Sequence, residues 1–187
     1  MTRGQKICAF IEAYCLIPEG AQVGQPIKLM KFQRKFILDV FDNPHGTSRA
    51  DLSVARKNGK SALIAAILLA HLVGPEARQN SQIISGARSR DQASLVFKLA
   101  EKMVRLSPDL SKIVRIVPSQ KMLVGLICNV EFKAISAESG TAHGLSPVLA
   151  ILDELGQVRG PHDAFVEALE TAQGAHANPL LIAISTQ

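Results

Sequence analysis

The sequence predicts an α/β domain, a mostly parallel β-sheet covered by helices on both faces. Three observations carry this reading. From Arg49 onward, short apolar runs alternate with segments of helical period. One of those runs leads straight into SVARKNGKSALIAAILLA, a loop followed by a helix apolar on most of its circumference. A second, PVLAILDE, is a continuous apolar run that ends in two acids, the pattern of a strand buried on both faces.

The bulk numbers set the frame. A chain of 187 residues is about one domain, and 47% hydrophobic against 20% charged residues is a folding composition. The formal net charge of +5 suits a polyanionic partner, yet the 21 Lys and Arg form no basic run, so an ordinary solvated surface explains it equally. Three cysteines (Cys8, Cys15, Cys128) without metal-type spacing read as reduced core residues of an intracellular protein. The most apolar stretch, 62–74, is too short to cross a bilayer, and no signal peptide is visible. The expectation is a soluble cytoplasmic protein with no membrane partner.

Along the chain, residues 5–16 place Ile7, Phe10, Ile11 and Tyr14 at helical spacing. Pro18, Gly20, Gly24 and Pro26 then make a loop. A second helix spans Lys31 to Phe41 and stops before Asp42-Asn43-Pro44-His45-Gly46. RADLSVA is a short strand, and SALIAAILLAHLV is the helix after the loop. QIISGA (82–87) is the next strand; Ser89-x-x-Gln92 opens a capping box for a helix that ends near Leu106, with Ser107-Pro108 as punctuation. Residues 113–135 are β-rich, with strands VRIVP, MLVGLI and VEFKAI and a turn at Ser119-Gln120. Their hairpin is an insertion or an antiparallel edge. After the polar loop SAESGTAHG and the PVLAILDE strand, Pro161 opens a helix that Gly174 closes. PLLIAISTQ is a final buried-type strand.

The candidate chemistry sits in three places. A strand that delivers Gly59-Lys60-Ser61 to a helix start is the setting of a phosphate-binding loop, although Val54 stands where the usual pattern has its first glycine. Backbone N–H groups and the positive helix end would face phosphates, Lys60 would reach the β- and γ-phosphates, and the Ser61 hydroxyl would ligate Mg²⁺. Arg56 and Lys57 inside the loop suit a nearby anion, or are solvated loop charges. At the end of LAILDE, Asp153 would hold Mg²⁺ and Glu154 would polarise an attacking water, which makes hydrolysis the expected reaction; alone, the pair would read as a solvated acidic turn. Ser185 and Thr186 end the last strand, where a polar residue senses the γ-phosphate or merely caps the strand.

With these pieces in order, the chain resembles the N-terminal ATPase domain of the large terminase subunit of tailed double-stranded DNA phages. FIEAYCLIPEGAQVGQPIKLMKFQRKFI is similar to that family's leader, and ARKNGKS to its deviant loop, which tolerates a non-glycine first position. ISGARSRDQA, SAESGTAHGLSP, ILDEL and ISTQ follow in the family's order. The resemblance implies an ASCE-type P-loop fold over 1–187, with a helical leader (1–46) and a P-loop core (47–187). It implies that Gln33 contacts adenine and that Arg56 or Lys57, Asn58, Gly59, Lys60 and Ser61 surround the triphosphate of ATP. Asp153 would serve Mg²⁺, Glu154 would be the catalytic carboxylate, and Ser185 with Thr186 would couple hydrolysis to movement.

The same resemblance implies a homo-oligomeric ring threaded by double-stranded DNA, working with a portal protein and a small terminase subunit in the host cytoplasm. Relatives place a trans-acting arginine where this chain has His143, which carries no permanent charge near pH 7; either Arg88, Arg90 or Arg159 completes the site across the ring, or the assignment fails for this branch. The nuclease domain of the family is expected to be absent, and with it the last strand of the sheet, which would leave an open edge. Two other readings share the nucleotide motifs: a P-loop DNA-translocating helicase, and an inert nucleotide-binding assembly module. A nucleotide kinase is disfavoured because no arginine-rich acceptor lid is present.

Overall fold

A computed structural model of the chain describes residues 1–57, 59–137, 144–153 and 164–186. Two N-terminal helices come first, α1 (Arg3–Tyr14) and α2 (Lys31–Phe41). α1 begins two residues before the expected Gln5, because Thr2 and Gln5 form a reciprocal capping box there. The core then alternates as β1 (Arg49–Val54), α3 (Lys60–Leu72), β2 (Gln82–Ala87) and α4 (Arg90–Leu106). Next come α5 (Pro108–Ile113), β3 (Val114–Val117), β4 (Met122–Gly125) and β5 (Val130–Ser136), followed by β6 (Leu149–Asp153), α6 (Ala164–Ala172) and β7 (Leu180–Thr186).

The seven strands form one sheet in the order β1-β7-β6-β2-β5-β4-β3. The first five in that order are parallel, and β5-β4-β3 is antiparallel. The hairpin is therefore an antiparallel edge continuous with the main sheet, joined through β5 lying beside β2, and no separate insertion. Ser107-Pro108 does more than punctuate: the Ser107 hydroxyl accepts from the Leu110 N–H at 3.3 Å and Pro108 sits in the first turn, so a new short helix begins. At Ser89 only the serine half of the expected box is formed, through Gln92 N–H at 3.2 Å.

Strand alternation builds two cores. Leu149, Ile151, Ile182 and Ile184 point into the larger one, with α1, α2, α3 and α4. Ala150, Leu152, Leu181 and Ala183 point to the other face, where Leu169 and the rings and chains of α6 cover them. A β-carbon at Gly86 would stand 2.7 Å from the Phe165 ring, so α6 seats its aromatic directly on the backbone of β2. Among the described residues β1 is the terminal strand beside β7, and its outward residues Arg49, Asp51 and Ser53 are exposed and polar, which disfavours edge-to-edge pairing.

Behind α3 lies a buried ionisable cluster. Burial pushes the His71 imidazole below its ordinary value, and its Nδ1–H donates to the Ile67 carbonyl at 2.8 Å. Burial alone would raise Glu76, but Arg3, at 2.8 and 2.9 Å, with His71 and Arg78, holds its carboxyl below the ordinary range. Both shifts have the same consequence. As pH falls below the ordinary histidine value of 6.5, the unfolded chain takes up a proton that folded His71 refuses, so stability falls. Below the ordinary glutamate value of 4.5 the contribution of Glu76 is lost as well, progressively down to its folded value. The urea midpoint is expected to be lower near pH 5.5 than near pH 7.5, with a shallower dependence in His71→Gln; identical midpoints would refute the assignment to His71.

Candidate nucleotide-binding site

The parallel register lines up the strand ends that carry the candidate residues. Val54 is level with Thr186, Ser53 with Ser185, and Asp153 with Ile184. The loop after β1, the polar end of β7 and the carboxylate ending β6 therefore share one rim, with β1 and β6 about 10 Å apart across β7. Asp153 and Ser185 are half-buried there.

The loop's conformation follows from its glycine. Gly59 caps α3 at φ 71°, a left-handed conformation that favours glycine, and a β-carbon on it would stand 3.4 Å from Gln33 Nε2. Lys57 also adopts a left-handed backbone, at φ 67°, the kind of strain that ligand-binding loops hold. Gly59, the N-cap of α3, makes no side-chain cap, and Lys60 and Ser61 are the first two residues of a helix whose N-terminal N–H groups suit an anion.

Two adjoining cavities flank this turn and share Ile17, Pro18, Lys57, Gly59 and Ala62. One, about 640 Å³, is lined by Arg56, Lys60, Ser61 and Leu99, with Glu19 paired to Lys102, and has the size and an excess of cations for a triphosphate. The other, about 490 Å³, is mostly apolar and contains Gln33, Leu29, Met30 and Ile11, as a base site would. Gln33 is buried, so it is not a solvent-facing helix residue. Its Oε1 accepts from the Met30 N–H at 2.9 Å.

The chain thus brings together Gln33, Arg56, Lys57, Gly59, Lys60 and Ser61 around the two cavities, and Asp153, Ser185 and Thr186 on the adjacent strand ends. Asp153 lines neither cavity. Arg88 is exposed just past the end of β2 on the same rim, whereas Arg90 lines a separate cavity of about 510 Å³ with Lys121 and Lys133. Asn58, His143, Glu154 and Arg159 lie outside the described residues, as does the expected helix start at Pro161. Among the described residues no three His, Cys, Asp or Glu side chains cluster as a metal cage. A cation held by one carboxylate, one hydroxyl and substrate phosphates requires no such cage, and the donor types of Ser61 and Asp153 are those Mg²⁺ takes.

Sequence reasoning missed the walls contributed by residues 17–30. Ile17, Pro18, Ile27 and Leu29 reach the cavities from a loop closed by Ile17 N–H to Gln25 O at 2.8 Å and Gly24 N–H to Ile17 O at 2.8 Å. The available signal was apolar residues embedded in a Pro- and Gly-rich loop, which solvent alone would not select.

A family model for the ATPase domain of the terminase large subunit matches residues 40–187. The terminase large subunit of Enterobacteria phage HK97 is 67% identical over 187 residues, which are all of this chain and 37% of that protein. The crystal structure of the HK97 bacteriophage large terminase superposes with a TM-score of 0.93 at 66% identity, covering 100% of this chain and 38% of that one. The ATPase domain of the Thermus phage P74-26 large terminase gives a TM-score of 0.64 at 22% identity over 86% of this chain and 66% of that one, a likeness of fold. The chain accordingly spans little more than a third of the HK97 relative. No helix among the described residues is long and apolar enough to cross a membrane.

Proposed function

The chain belongs to the ATPase-domain family of the terminase large subunit, and from that premise we propose that it hydrolyses Mg·ATP to drive packaging of double-stranded DNA. The observation that carries the reading is the start of α3, where left-handed Gly59 lies between an apolar cavity lined by buried Gln33 and a cationic one lined by Lys60 and Ser61. In this reading Gln33 meets the adenine. Arg56, Lys57, Asn58 and the N–H groups from Gly59 onward surround the phosphates, and Lys60 offsets charge on the β- and γ-phosphates. Ser61 and Asp153 hold Mg²⁺, which when bound offsets phosphate charge and polarises the terminal phosphate. Glu154 takes the proton from the attacking water. Ser185 and Thr186, on the strand between loop and carboxylates, relay the change in phosphate state.

Membership in the family disfavours the helicase reading; whether the chain turns over or is an inert assembly module is settled by assay. Saturating ATP with Mg²⁺ is expected to raise the melting temperature by about 5–10 °C, since ligand at a hundred times Kd adds about 2.7 kcal/mol. Phosphate release should disappear when EDTA removes the metal. A chain that neither shifts nor releases phosphate would overturn the proposal.

The DNA partner is supported by the separate cavity of about 510 Å³. Arg90, Lys121 and Lys133 come from α4, the β3–β4 turn and β5, with no acid among the described lining residues. This cavity lies toward the carboxyl end of β5, on the same side of the sheet as the phosphate loop. We assign it to contacts with the duplex backbone inside a ring of copies, working with portal protein and small terminase subunit in the host cytoplasm. Arg88, on the nucleotide rim itself, is then the described arginine best placed to serve a neighbouring copy. Filter binding of duplex DNA should weaken with salt, and Lys121→Ala with Lys133→Ala should reduce the log–log slope by about 2. A slope unchanged by both substitutions would remove this cavity from the DNA path.

A further inference from the structure

The leader's packing bears on how the base is held. Near the end of α1, the Glu12 carboxylate accepts from Arg34 Nη2 at 2.7 Å and from the Leu29 backbone N–H at 3.2 Å. Leu29 precedes Met30, whose N–H donates to Gln33 Oε1 at 2.9 Å. One carboxylate therefore ties together α1, the extended segment before α2, and α2 itself. Leu29, Met30 and Gln33 all line the apolar cavity.

The Met30 bond also fixes which way the Gln33 amide points. An NH₂ group cannot accept a hydrogen bond, so the carbonyl oxygen must face the Met30 N–H and Nε2 must face away. Nε2 lies toward Gly59, at the junction of the two cavities. The chain thus presents a donor there, and its direction depends on where the Leu29–Met30 backbone is held.

We infer that Glu12 is a positioning residue for the nucleotide's base, acting through Leu29, Met30 and Arg34 on Gln33. The inference rests on the nucleotide reading of the site. It does not rest on fold stability, because the Glu12 and Arg34 side chains are 38% and 43% exposed, and ion pairs so exposed contribute little to the fold. The effect is expected at the base and ribose end of the ligand, because the hydrogen bonds of Glu12 go to Leu29 and Arg34, whereas Lys60 and Ser61 of the phosphate cradle stand on α3.

Titration calorimetry on the 187-residue chain with two probes tests this: ATP, and inorganic tripolyphosphate, which has the phosphates without a base. Glu12→Ala is expected to weaken ATP about tenfold, the loss of a hydrogen bond to a charged group, while tripolyphosphate binding is unchanged. In turnover KM should rise by the same factor with kcat preserved. Glu12→Gln keeps an acceptor for the Leu29 N–H and should restore most of the affinity. Equal weakening of both probes, or none for ATP, would overturn the inference. Should Glu12→Ala fail to fold, Arg34→Ala, which leaves the Leu29 bond but frees the carboxylate, takes its place with the same expected ordering of probes. A wild-type chain that binds neither probe would instead refute the nucleotide reading itself.

Discussion

A Glu154→Gln chain is expected to bind ATP about as tightly as the wild type and to release phosphate about 10²–10⁴ times more slowly. The amide keeps the shape of the carboxylate but cannot take a proton from water. Glu154 follows Asp153, the last residue of β6, which is level with Ile184 just before the polar end of β7, with β7 lying between it and β1. In the proposed reading Glu154 acts at the terminal phosphate and not at the base, so its loss is felt in turnover and spares affinity. Lys60→Ala is the matching contrast. Lys60 is the first residue of α3 and lines the cationic cavity; in the proposed reading it offsets phosphate charge in both ground and transition states. Removing it should lower affinity and turnover together, with turnover down by at least about a hundredfold. Equal phosphate release from wild type and Glu154→Gln would dismiss this carboxylate as the base. Unchanged affinity in Lys60→Ala would show that the loop does not hold the triphosphate.

The largest effect on stability is expected from Leu68→Ala, a loss of about 2–5 kcal/mol and a fall in melting temperature on the order of 10 °C. Leu68 is fully buried in the middle of α3, the helix that packs against α1, α4 and three strands of the sheet. Neighbours on every side are fixed by their own elements, so a cavity there collapses poorly. The contrast is Leu126→Ala: that side chain is 56% exposed in the β4–β5 turn and its truncation should cost almost nothing. The loss in Leu68→Ala should also weaken ATP binding near the melting transition, because α3 carries Lys60 and Ser61. A Leu68→Ala chain that melts with the wild type would mean that α3 is not the central helix of the core.

The elements legible in the sequence were those with strong local signals. α2 and β2 fall on the expected residues, because both have clear periodicity and abrupt stops. The Thr2 cap was not foreseen, and neither was the helix after Ser107, where Pro108 marks a start as readily as a stop. The hairpin's place was left open between insertion and edge. Periodicity says that 122–125 and 130–136 are strands, but β5 joins the parallel sheet only because β2 presents a free edge of matching length. In the candidate site, Gly59, Lys60, Ser61 and Asp153 are the proposals the sequence makes by itself, because phosphate and metal chemistry restrict residue type at fixed spacing. Glu12, Arg34 and the loop 17–30 were not, since their roles come from contacts between α1, α2 and the loop before α2.

What the sequence determined by itself is the parallel α/β class and the order of its core elements, and it named the candidates for handling a triphosphate and its cation. These depend on short-range chemistry: apolar runs that must be buried, glycine where the backbone turns left-handed, and acids at strand ends. Only the tertiary structure decided that β7 separates β1 from β6, that Gln33 is buried against Gly59, and that Arg90 joins Lys121 and Lys133 and not the loop. Strand order and pocket walls are set by which hydrophobic faces meet once the chain has closed, and no local stretch of residues contains that information.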